Sequence, residues 1–178
     1  MENINLTKDS PRELIIKIGQ PCGEACNWSG HCCRHASGVL VEDEVEQLAK
    51  HLKMAKEDFI DKCLEDTVRY NTRLKQFKQV REKGMPHGRC VFLGKDHRCA
   101  IQDVKPLYCK VTNCDAINGH ALAEWFALNF FVNPHDAESV RQWAHHLKQS
   151  HTIPGGQLNE LVPDAQKLSR MISHEMLY

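Results

Sequence analysis

Nine cysteines, all lying between Cys22 and Cys114, are the side chains of this 178-residue sequence whose type and grouping point to chemistry. One group is Cys22, Cys26, Cys32 and Cys33; the other is Cys90, Cys99, Cys109 and Cys114, with Cys63 between them. Thiolates are soft donors that suit zinc and iron–sulfur clusters alike, and ligation itself favours loss of the thiol proton. Gly23, Gly30 and Gly94 sit beside them and let short segments turn tightly enough to bring donors together. Spacing excludes several familiar sites. A radical-SAM run fails at its third position, which is Ser29; a ferredoxin run is missing, and no pair of Cys-x2-Cys knuckles marks a zinc ribbon. Neighbouring side chains diverge, so Cys32 and Cys33 fit either two metals or one ligand beside a thiol that packs or reacts. Cys63 falls on a helical face with Phe59, Ile60 and Leu64 and reads as packing.

The rest of the composition narrows the setting. At 20.4 kDa and 42% hydrophobic, the chain can bury a core and reads as one domain, residues 1–178. Lys+Arg 23 against Asp+Glu 23 leaves no protein-wide field for nucleic acid or anionic lipid, so neither is expected as a partner. Met1 to Gly19 lacks a secretory pattern, and the apolar run Ala121 to Val132 is too short to span a bilayer, so a cytoplasmic protein is expected. In that compartment clustered cysteines bind metal or do redox chemistry more readily than they form structural disulfides. A thiol–disulfide switch is the alternative to metal binding.

The elements that must position these thiols read as a mainly helical α+β fold. Ser10-Pro11-Arg12-Glu13 predicts a helix start, with Leu14, Ile15, Ile16 and Ile18 following and Gly19 as the stop. Gly38 to Val41 predicts a short strand, and Asp43 to Glu46 a capping box for a helix carrying Val45, Leu48 and Leu52. A second helix starts near Lys56 and carries Phe59, Ile60, Cys63, Leu64 and Val68; Leu74, Phe77 and Val80 could continue its face. Cys90 to Leu93 and Arg98 to Ile101 predict two short strands around a Gly94 to His97 turn, each with a cysteine. Beyond Gly119 the pattern is helical: Ala121 to Val132, then a helix capped by Asp136 with Val140, Trp143, Ala144 and Leu147 inward, then one from about Pro163 with Leu168, Met171 and Ile172. Residues 20–115 are thus expected as the cysteine core and 116–178 as a helical extension packed on it.

Other residues near the cysteines carry weaker signals. His31 and His35 flank the Cys32-Cys33 pair at a four-residue spacing that shares one helical face, which makes them candidate ligands or surface groups. Trp28 reads as packing beside the first group. Glu24 and Asp103 are single carboxylates, a weak basis for a ligand or base. From Arg81 to Lys110 seven basic residues face three acidic ones, a local +4 that would offset the net negative charge of a zinc tetrathiolate.

Cys22 to Cys33, Val39-Leu40-Val41, Asp58-Phe59-Ile60, Cys90-Val91-Phe92-Leu93, Cys99-Ala100-Ile101 and Lys105-Pro106-Leu107-Tyr108-Cys109-Lys110 together resemble the YkgJ-like cysteine-cluster family of zinc- or iron-chelating proteins. The likeness spans about residues 20 to 115. It implies a metal ion as partner, zinc or an iron–sulfur cluster as cofactor, and Cys22, Cys26, Cys32, Cys33, Cys90, Cys99 and Cys109 as its holders, with Cys114 in addition. Three departures stand out: wider first gaps, Gln102 in place of tyrosine, and Lys105 and Lys110 in place of arginine, which keep the charge and lose the planar fork. The wider group includes a flagellin lysine N-methylase, so the resemblance also implies a protein-modifying or redox enzyme as an alternative.

Overall fold

The computed structural model describes residues 4–19, 29–81, 83–85, 87–112 and 117–173. These form a mainly helical α+β fold. In chain order they are α1 (Arg12–Gly19), α2 (His31–His35), β1 (Val39–Leu40), α3 (Glu44–His51), α4 (Lys56–Cys63), β2 (Leu64–Arg69), β3 (Thr72–Phe77), β4 (Gln79–Val80), β5 (Arg89–Cys90), α5 (Leu107–Val111), α6 (Gly119–Phe126), α7 (Ala137–Leu147), α8 (Leu158–Leu161) and α9 (Ala165–Ile172). A three-stranded antiparallel sheet runs β1-β3-β2, and β4 pairs with β5. Among the described residues no helix is long and apolar enough to cross a membrane.

The helix expected from Lys56 through Val68 ends at Cys63, and the chain enters a hairpin. Leu64 to Arg69 pairs with Thr72 to Phe77 in register Leu64↔Phe77 to Arg69↔Thr72. The two-residue loop, Tyr70 and Asn71, has both φ values positive (47° and 61°), the turn that matches strand twist, and asparagine tolerates that region. Tyr70 adopts it while its ring meets Trp143 edge-on at 5.4 Å and lies near Phe131. Thr72 Oγ1 donates to the Phe131 carbonyl at 2.6 Å, and Asn71 Nδ2 donates to Asp136 at 3.0 Å. The hairpin tip is thereby fastened to the C-terminal helices.

The hairpin expected at Cys90 to Ile101 is corrected as well. Only Arg89–Cys90 is strand, and its partner is Gln79–Val80; Leu93 and Cys99 meet in a single bridge. Gly94 N donates to the Arg98 carbonyl and Arg98 N to Asp96 Oδ1, so a compact turn occupies the residues that a longer ladder would need. The capping box at Asp43 does not form: Asp43 Oδ2 accepts from Gln47 Nε2 instead.

Two apolar clusters divide the interior. One gathers α1, α5, α6 and α7, with Ile15, Leu107, Val111, Leu122, Phe126 and Trp143. The other lies under α3, α4 and the sheet, with Leu48, Phe59, Leu64, Phe77 and Cys90. Full burial of Phe59 or Phe77 stabilises by about 1.5–3 kcal/mol each, so this second cluster gives β3 and β5 a firm backing. α6 continues into a wider π turn, Ala127–Phe131, where Asn129 Nδ2 donates to the Trp125 and Lys8 carbonyls. Asp136 caps α7 by accepting from Ser139 N, and Asp164 caps α9. Ile172, expected on the inner face of the last helix, is exposed.

Candidate metal centre

Cys32, Cys33, Cys90, Cys99 and Cys109 line one cavity of about 190 Å³. They arrive from separate stretches of chain: α2, β5, the bridge after the Gly94 turn, and α5. Cys22, Cys26 and Cys114, together with Trp28 and Glu24, lie outside the described residues. Cys63 is not at the cavity; it packs half-buried at the end of α4 against the second apolar cluster. His31 and His35 are exposed on α2, and Asp103 is exposed as well. His97, which no sequence pattern singled out, lines the cavity from the turn beside Cys99.

Residues other than cysteine fix the thiols in place. Gly30 opens α2 at φ 62°, and a Cβ there would lie 3.1 Å from the His97 carbonyl oxygen, so α2 starts directly against the Gly94 turn. Gly38 does the same for Cys109: a Cβ on it would fall 2.3 Å from Cys109 Sγ and 3.2 Å from the Phe77 ring. α5 is seated by Glu44. Its Oε1 accepts from Leu107 N at 2.6 Å and its Oε2 from Val41 N at 2.9 Å, tying the start of α5 to the end of β1. Burial pushes the Glu44 carboxyl above its ordinary range against the pull of those two amides.

The described cysteines are free thiols. Burial sets most of their protonation, and neighbouring thiols add to it. Burial raises Cys90, to about 11, and the neighbouring Cys99 and Cys32 push it the same way; the Phe92 and Gly38 amides oppose. Burial likewise raises Cys109, with Cys90, Cys99 and Cys32 adding to it, and raises Cys99. Cys32 Sγ stands 3.9 Å from Cys33 Sγ, and sharing a proton across that contact lowers Cys32 and raises Cys33. Lys105 lines the cavity and favours the thiolate at Cys32, Cys99 and Cys109. Of the basic stretch, Arg81 instead pairs with Glu65 and Arg89 donates to the Leu93 carbonyl.

This donor set fits a thiophilic ion. Several thiolates crowded together repel, and a cation of charge two reverses the sign of that interaction. Phe77, Phe92, Ile101 and Tyr108 supply apolar walls that lower the local polarity and strengthen it. Among the described residues no three donors already meet around a single point, so what they share is a cavity.

Comparison with known proteins gives the same direction. Residues 21–129 match the family model CxxCxxCC, described as "Putative zinc- or iron-chelating domain", and the match runs past the last cysteine to the π turn that follows α6. No curated protein matches the chain, and no solved structure does.

Proposed function

This chain belongs to the CxxCxxCC family of zinc- or iron-chelating domains, and from that premise we propose that the thiol cavity is where it holds its metal. The observation that carries the reading is the shared cavity of Cys32, Cys33, Cys90, Cys99 and Cys109, brought from distant parts of the chain. Cys32, Cys90, Cys99 and Cys109 are the proposed holders among the described residues, with Cys33 supporting Cys32 through its thiol; Cys22, Cys26 and Cys114 complete the donor supply. Zinc would supply a fixed cross-link between segments, and an iron or iron–sulfur centre would add electron transfer. Lys105 offsets the net negative charge of such a centre. The chain after residue 129 backs the site rather than lining it, through Phe131, whose ring lies 6.1 Å from that of Tyr108 in the cavity wall.

A metal of this kind contributes on the order of 10–16 kcal/mol to a structural site, so chelation should unfold the cavity segments. The test is elemental analysis and absorption spectroscopy of protein purified without oxygen. We expect near-stoichiometric zinc or iron in the native chain, loss of it in Cys90→Ser and Cys109→Ser, and full retention in Cys63→Ser. Metal retained by the Cys90 and Cys109 variants overturns the reading. Metal-free native protein that loses free thiols reversibly on oxidation would favour the thiol switch.

A further inference from the structure

A histidine cluster stands beside the thiols and has no part in lining their cavity. His31 and His35 lie one turn apart on α2, with ring centroids 4.9 Å apart and planes inclined at 55°. His87, from the loop before β5, brings a third ring to 5.1 Å from His35, inclined at 60°. His31 and His35 are exposed and His87 is half-buried, so solvent ions reach them. Zn–N bonds of about 2.1 Å in tetrahedral geometry put two imidazoles on one ion with centroids about 5 Å apart, which is the spacing of both pairs. Exposed rings gain little from contact with one another alone, and three imidazoles sharing one small patch form a set of nitrogen donors.

We propose that His31, His35 and His87 form an outer capture site that takes a divalent transition-metal ion and delivers it to the thiols, an inference that rests on the thiol cavity being the metal centre. The helix itself provides the path: Cys32 and Cys33 lie on α2 between the two histidines. Past them, His97 offers another imidazole at the cavity wall. The trio binds through two rings at a time with water completing the shell, because no three donors already meet around one point among the described residues. Weak, open coordination suits delivery, since the ion must leave again. Cys32, exposed on α2, is the first thiol an ion meets, and Cys90 lies deeper at 6% exposed, so the ion must shed water before that donor holds it. Two imidazoles on one turn let it do so stepwise by ligand exchange, with no change in oxidation state.

The test uses Zn2+. Metal-free protein receives zinc from a chromophoric chelator, and the rate of transfer is followed by the chelator's absorbance. In the triple variant His31→Ala/His35→Ala/His87→Ala we expect transfer slowed at least about tenfold, well within what linking a second donor supplies, while the final zinc content and the melting temperature stay at the native values. A second arm uses Cys32→Ser/Cys109→Ser: it should still hold one weakly bound zinc, which the histidine substitutions remove. Equal transfer rates, or no histidine-dependent zinc in the second arm, overturn the capture site. A lower final zinc content in the histidine variant also overturns it, by making those residues part of the thiol centre. Native protein that takes up no zinc at its thiols overturns the metal centre and the delivery role together, and the first arm separates that result from failure of the capture site alone.

Discussion

Replacing Gly38 with alanine places one methyl group where the Cys109 sulfur already is. The added Cβ would stand 2.3 Å from Cys109 Sγ and 3.2 Å from two carbons of the Phe77 ring. Ordinary contact needs about 3.5–4.0 Å between carbon-sized atoms, so the sulfur must retreat by more than an ångström. Neither side can yield easily. The Gly38 carbonyl accepts from Phe77 N at 2.9 Å just ahead of the Val39↔Gln76 pair, and the start of α5 is held by the Glu44 bond to Leu107 N. Overpacking of this kind costs about 1–3 kcal/mol, which for a chain of this length lowers the melting temperature by roughly 2–12 °C. Displacing the sulfur also removes a donor, so bound metal should fall together with stability. The assay is thermal unfolding by circular dichroism, with metal content measured on the same samples. Gly38→Ala/Cys109→Ala separates the two effects when all three proteins are melted metal-free: losing the sulfur relieves the main clash and restores most of the stability that Gly38→Ala costs, and metal uptake stays low. A single variant that melts within about 1 °C of the native protein and binds its full metal would refute the placement of Cys109 against β1.

Two further predictions concern the framework. Asp136 lies below the usual carboxylate range because it accepts from Ser139 N and, next, from Asn71. A lowered native value stabilises above the unfolded-state value and is lost as pH falls through the native one. Asp136→Ala should therefore cost about 1 kcal/mol near neutral pH, and the gap in melting temperature from the native protein should close below about pH 4; a gap independent of pH would contradict the assignment. Glu44→Gln should cost about 1–3 kcal/mol, because the amide oxygen can serve only one of the Val41 and Leu107 N–H groups while its NH2 faces the other. Unchanged denaturant midpoints for this variant would count against Glu44 as the fastening of α5.

What could be read in advance followed the strength of the local signal. α1 ends at Gly19, and α7 starts from the Asp136 cap; both carry a strong terminus signal and an apolar face of helical period. The failure after Lys56 has a clear cause. Phe59, Leu64 and Val68 fit a helical period, yet Thr67 and Val68 favour strand and Asn71 favours the left-handed turn, and pairing with β3 decided the outcome. The cysteine stretch around residue 94 read as a hairpin for the opposite reason: two short apolar runs flank a Gly-led turn, but the turn holds its own backbone bonds and leaves only Leu93 and Cys99 to pair.

The candidate site was legible in its donors and opaque in its supports. Cysteine type and spacing name a chelator, since few side chains other than thiols offer soft donors, but nothing in the pattern tells which carboxylate will seat α5. Glu44 became important only because β1 and α5 converge on it, a contact across 63 positions in sequence. The same holds for Gly38, whose lack of a side chain matters only once Cys109 comes to lie beside it. Burial keeps Cys90, Cys99 and Cys109 protonated, and neighbouring thiols add to it, so an incoming ion must displace those protons while the apolar clusters behind β3 and α5 hold the sulfurs in place. A fold that commits its glycine, its buried carboxylate and its aromatic backing to gathering thiols in one cavity gains from that arrangement when an ion displaces their protons and binds the resulting thiolates.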